Sequence, residues 1–168
     1  MVAFLFRMPS GIPGAVNRNE MSTIEAQIVL STNPPTAYGV VVVMDAATNK
    51  IRPFIGTDTA ASVYGINVRP YPTQSSASQN EPLGTAVPPT SGITNILKRG
   101  YISVLLGGVT AAAKNGVVFV RIALPVAGKP LGGFEAVADG VNTIALSPGT
   151  YFMGPSDAQG NTEIAFNI

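Results

Sequence analysis

Residues 95–124 read NILKRGYISVLLGGVTAAAKNGVVFVRIAL, and the punctuation of this stretch decides the fold class. Asn95 to Leu106 predicts one long strand with a basic interruption at Lys98-Arg99, which Gly107-Gly108 ends or bulges. Asn115-Gly116 is the strongest hairpin signal in the chain, since both central positions of a type I′ turn need φ > 0. Residues 117–124 are expected to pair back from that turn. Only residues 110–114 have helical character, and they are too few to build on.

The same pattern continues in both directions. Ile24, Ala26, Ile28 and Leu30 alternate with Glu25, Gln27 and Val29, the signature of a half-buried strand that Asn33-Pro34-Pro35 ends. Residues 38–44 form a fully apolar strand, residues 50–55 and 62–69 two more, and Pro70-Tyr71-Pro72 closes the last. Residues 73–93 are a long polar loop, a length that is usually functional or disordered. Strands are expected over 134–138, 143–146, 150–153 and 163–167, with turns at 139–140, 147–149 and 157–160. Eight to ten short strands between Gly, Pro and Asn turns predict an all-β sandwich or barrel. Residues 24–168 are read as a single β domain.

Residues 1–23 form a distinct opening. Phe4, Phe6 and Met8 alternate with Leu5 and Arg7 before Ser10-Gly11-Ile12-Pro13-Gly14 breaks any regular structure. This opening is read as an extended N-terminal arm that packs against something; the alternative is an ordinary first strand and turn of the domain. Arg7 interrupts the apolar start, so its order is wrong for a secretory signal, which needs an apolar stretch of about 7–15 residues after a basic region. The longest apolar run elsewhere, Val40 to Met44, is far below the roughly 20 residues of a membrane span. The chain is therefore expected to be made in the cytosol, with no membrane partner.

Composition weighs against chemistry. The 168 residues include no His, Cys or Trp, which removes the commonest general base, the thiol nucleophile and the usual transition-metal ligands together. No His can activate a Ser, and Lys114 sits near no nucleophile elbow, so a Ser–Lys dyad has little support. Asp157-Ala158-Gln159-Gly160-Asn161 lacks the alternating acidic ligands of a calcium loop and reads as a turn. Gly107-Gly108 and Gly132-Gly133 belong to no phosphate-loop pattern. Ten basic and nine acidic residues are spread along the chain with Lys98-Arg99 the only adjacent basic pair, so the clustered footprint of a nucleic-acid binder is missing. No enzyme activity, metal or cofactor is expected. Only 11% of residues are charged, against about 25% in ordinary soluble proteins, so much of the exterior is neutral or apolar and suited to association. Arg69-Pro70-Tyr71-Pro72 reads either as a rigid pair of interface anchors or as a strand exit with a solvated Arg.

Four stretches, in order along nearly the whole chain, resemble the structural cement, or capsid decoration, proteins of tailed bacteriophages. They are SGIPGAVNR (residues 10–18), GINVRPYPTQ (65–74), LKRGYISV (97–104) and FMGPSDAQGN (152–161) running into EIAFNI (163–168). None is a catalytic signature; their specificity lies in the combination. The resemblance implies a jelly-roll-like β domain on the outer surface of the virion head. There it would clamp neighbouring subunits of the major capsid protein and self-associate, as a dimer rather than a trimer. It implies no reaction and no cofactor.

For such a role the residues expected to grip a partner are Phe4, Phe6, Arg7 and Met8 in the arm, Ile12 and Arg18 behind it, and Arg69 and Tyr71 on the body. The alternative role is a carbohydrate- or receptor-binding β domain on the virion exterior, which β-sandwich folds also host.

Overall fold

The computed structural model describes residues 11–70 and 87–168. The protein is all-β: the described residues form ten strands and three single turns of 3-10 helix, at Asn19–Met21, Ala60–Ser62 and Gly140–Asn142. The strands are β1 (Thr23–Ile28), β2 (Val41–Asp45), β3 (Lys50–Pro53), β4 (Val63–Val68) and β5 (Ile93–Gly107), followed by β6 (Phe119–Arg121), β7 (Phe134–Glu135), β8 (Thr143–Ala145), β9 (Tyr151–Phe152) and β10 (Asn161–Phe166).

The 15-residue strand β5 organises the rest. Its first half lies between β1 and β4, both antiparallel; its second half pairs antiparallel with β10; its last two residues pair in parallel with β7. Beyond β4 the ladder runs through β2 to β3, and an isolated parallel bridge from Val29 to Ile51 returns β3 to the end of the β1 segment. Five strands thus make a nearly closed ring around Val29, Val42, Ile51 and Ile96. Through its other face the ring packs on a second layer built from β9 and β10 and from β6, β7 and β8. Leu97, Ile66, Val41 and Val43 meet Ile102, Val104, Phe134, Phe152 and Ile164 in one main core. The all-β sandwich reading therefore holds.

This arrangement explains why residues 41–44 are apolar without alternation. Val41 and Val43 enter the main core while Val42 and Met44 face the ring interior, so both faces of β2 are covered. It also explains the basic interruption in β5. The β1 register skips from Thr23 opposite Arg99 to Ile24 opposite Leu97, leaving Lys98 as the extra residue of a bulge. Before the bulge an odd-numbered residue, Leu97, points into the main core; after it the even-numbered Ile102, Val104 and Leu106 do. Gly100 sits at the kink with φ 138°, and a Cβ there would lie 2.6 Å from Ser22 Oγ.

Three local expectations give way. The turn at Asn115 forms, but Gly116 is not at positive φ. Gly116 N–H donates to Ala113 C=O (2.9 Å), with Asn115 alone left-handed at φ 61°. The chain after it does not pair back on β5, because β6 finds its ladder partners in β7 and β8. Residues 110–114 contain no helix. Strand β1 is not half buried: Ile24 is 41% and Ile28 51% exposed, because no element among the described residues covers that face.

Gly65 marks the closest approach of β4 to β5, where an added Cβ would run into the Leu97 carbonyl and Ile96 Cγ2. Gly65→Ala is expected to destabilise the fold by about 1–3 kcal/mol, read as a lower urea midpoint at unchanged slope; an unchanged midpoint contradicts the packing described.

Candidate interaction surface

Part of the expected arm lies on the domain. Gly14 N–H donates to Ser103 C=O (2.8 Å), Ser103 N–H to Ala15 C=O (2.9 Å) and Asn17 N–H to Tyr101 C=O (3.0 Å). Residues 14–28 therefore run antiparallel along almost the full length of β5, turning once through Asn19–Met21. Residues 1–10, and with them Phe4, Phe6, Arg7 and Met8, fall outside the described residues, as does Tyr71.

Arg69 and Arg18 hold this segment down. Arg69 is 8% exposed; its Nε donates to Pro13 C=O (3.0 Å), and its guanidinium lies 4.8 Å from the centre of the Tyr38 ring. Burial pulls the Arg69 guanidinium below its ordinary value and pushes the Tyr38 phenol up. The guanidinium thus faces the chain's own backbone and a ring, where the sequence left open an interface anchor or a solvated Arg at a strand exit. Arg18 stacks 4.1 Å from the Tyr101 ring centre and donates to Glu163 Oε2 (3.3 Å), while Asn17 Nδ2 donates to Ser103 Oγ (3.0 Å). Ile12 lines a hollow of about 380 Å³ together with Ala15, Val16, Ile24, Val68 and Asn95. Beyond its rim the apolar surface continues over Ile28 to Ile93, which pairs with Ile28 and is 67% exposed. The described part of the candidate surface is thus an apolar sheet face beside the point where residues 1–10 join the domain.

The far layer carries a charged network absent from the sequence reading. Arg121, 2% exposed, donates from Nε to Glu135 Oε1 and from Nη2 to Asp139 Oδ2, both at 2.6 Å, and from Nη1 to the carbonyls of Ala123 and Leu124. Lys129 Nζ completes the set on Glu135 Oε2 (2.7 Å). The signal for it was a lone Arg inside the apolar run of residues 117–124, since a charge there is buried only if paired. This network ties β6, β7 and the 123–129 loop together, and Lys129, Glu135 and Asp139 also line a hollow of about 270 Å³ beside Gly107 and Gly108. Among the described residues, no three His, Cys, Asp or Glu side chains converge on a metal position.

Burial alone would raise the Glu135 carboxyl, but hydrogen bonds and charge from Arg121 and Lys129 outweigh it and hold the group below its ordinary 4.5. A depressed carboxylate stabilises the fold above the unfolded-state value, and that contribution is lost as pH falls through the folded-state value. Glu135→Gln is therefore expected to cost about 1–3 kcal/mol at neutral pH. The deficit should shrink as pH drops below about 4.5, measured by urea unfolding across pH; a deficit independent of pH contradicts the assignment.

Two comparisons identify relatives. The family described as XM1 gp53 minor capsid protein matches residues 1–166 of the chain. Among solved structures, a chain in the capsid of Myoviridae phage XM1 superposes with a TM-score of 0.69 at 17% identity, over 98% of this chain and 95% of that one. No curated protein sequence matches. The agreement in fold extends the family match to three dimensions, and the whole described β domain takes part in it. The chain belongs to the XM1 gp53 minor capsid protein family, with a structural role in a phage capsid.

Proposed function

We propose that this chain is a non-enzymatic cement protein that binds the outer surface of the phage head and clamps adjacent major capsid protein subunits. The observation that carries this reading, within a minor capsid protein family, is the apolar face of β1 and Ile93, which no element among the described residues covers, beside the entry of residues 1–10. A monomeric enzyme keeps such a face buried, whereas a protein that works by coverage needs it. Binding then comes from many weak contacts repeated over the shell, where avidity replaces a single tight site. Phe4, Phe6, Arg7 and Met8 are the proposed grips on the shell, with Tyr71 as a further one. Ile12 contributes through the hollow it lines, and Arg18 and Arg69 act by fixing the base of the segment from which those grips extend.

The low charge of the chain suits this task. Ten basic and nine acidic residues nearly cancel, so many copies can crowd one shell with little mutual repulsion. Self-association, as a dimer, belongs to the same proposal.

Mixing purified chain with expanded, undecorated shells and pelleting them tests the reading. The full chain is expected to co-pellet in fixed stoichiometry and to raise the temperature at which the shells rupture. A chain that stays in the supernatant contradicts it. Removing residues 1–10 leaves the Gly14–Ser103 and Asn17–Tyr101 pairing in place. The truncated chain should therefore keep its unfolding midpoint while its shell affinity drops at least about tenfold, the equivalent of about 1.4 kcal/mol. Unchanged affinity would remove residues 1–10 from the grip.

A further inference from the structure

Strand β1 has an open edge over Thr23–Ile28. It pairs with β5 along one side; on the other, β3 meets the segment just past its end, through the Val29–Ile51 bridge and the hydrogen bond from Leu30 N–H to Ile51 C=O. Natural proteins blunt such edges with Lys, Pro, a bulge or a covering loop. Thr23–Ile28 has neither Lys nor Pro, and the five consecutive pairs from Ile24 to Ile28 run in unbroken register. Its one charge, Glu25, accepts a hydrogen bond from the Tyr64 hydroxyl on the face opposite Ile24, Ala26 and Ile28, and Gln27 Nε2 donates to the same oxygen at 2.7 Å.

The order of residues at this edge points to its occupant. Residues 24–28 read I-E-A-Q-I, which is close to its own reverse: Ile against Ile, Glu against Gln, and Ala26 at the centre. An antiparallel pair of identical strands centred on Ala26 would set Ile24 opposite the second copy's Ile28 and Glu25 opposite its Gln27. No like charges meet, and every cross-strand pair matches in size. A register centred on Glu25 would instead oppose two carboxylates. The centred pairing also completes an apolar row that the monomer leaves unfinished. Ile66 and Leu97 are buried in the main core, Ile24 beside them is exposed, and the second copy's Ile28 and Ile93 would follow in line.

We infer that a second copy of this chain occupies the β1 edge, joining two sheets through a two-fold axis at Ala26. A two-fold requires a self-complementary patch, which this strand supplies. The inference rests on the self-association within the proposed function and names the surface that would carry it.

The chain has no cysteine, so one introduced thiol reports on one position. Directly opposed residues of antiparallel strands have Cα atoms about 4.5–5.5 Å apart, within the span of a disulfide. Full-length Ala26→Cys at high concentration under mild oxidation is expected to form a covalent dimer. Thr23→Cys should not, since a thiol three residues from the axis lies roughly 20 Å from its mate. Ile24→Cys and Ile28→Cys should cross-link with each other when mixed and stay monomeric alone. Ala26→Cys coupling no faster than Thr23→Cys overturns the two-fold, as does equal coupling at all four positions. Pelleting with shells in parallel separates the two ideas. An uncross-linked Ala26→Cys chain that still decorates shells overturns the two-fold alone, whereas a cross-linked dimer that never binds them overturns the cement reading.

Discussion

Every layer of this molecule depends on one strand. β5 supplies an edge to β1 and β4 in its first half, to β10 in its second and to β7 at its end, so the ring and the far layer share a backbone. A strand with strict period-two alternation could not face a single main core on both sides of the Gly100 kink. The bulge at Lys98 resolves this by shifting the inward set from Leu97 to Ile102, Val104 and Leu106. Lys98 itself turns back over the Tyr64 ring, its Nζ 3.3 Å from the ring centre, so the extra residue of the bulge is held rather than loose.

The few charges are spent on holding loops. Arg52 makes a two-pronged pair with Asp58 at 2.7 and 2.9 Å, Arg69 clasps the N-terminal segment, and Arg121 gathers β6, β7 and the following loop. Each fixes an irregular segment where the ladders stop, which a protein with many two- and three-residue strands needs. The apolar residues left outside are therefore not leftovers of a poor core. Met21, Ile24, Ile28 and Ile93 lie on or beside β1, where a contact with a shell or a second copy would form, while Val109, Leu124, Val126 and Val141 lie in the loops and turns of the far layer.

Much of the fold was legible from residue order, and the failures share a cause. The apolar run before Asp45, the bend after Leu106 and the turns at 147–149 and 157–160 are local signals, and all appear. The Asn115 turn also formed, but the partners of β6 are set by distant strands, which a local turn motif cannot choose. Alternation in β1 announced an apolar face; whether another layer covers it depends on tertiary structure or on a partner. The Arg121 network was signalled only by a charge out of place. For the candidate site, Ile12, Arg18 and Arg69 lie on or around the segment singled out; Arg69 is buried against Pro13 and Tyr38, while Arg18, partly exposed, stacks on Tyr101 and reaches Glu163. The resemblance to capsid decoration proteins pointed to the virion, and the family match over residues 1–166 makes the chain a minor capsid protein.

The most direct measurement of the central claim is a cryo-electron microscopy reconstruction of the mature head that carries this chain. Density for the β domain on the outer surface, bridging neighbouring major capsid subunits with residues 1–10 reaching onto the shell, is the predicted result. Density on the inner face, or contact with only one capsid subunit, would contradict the clamp.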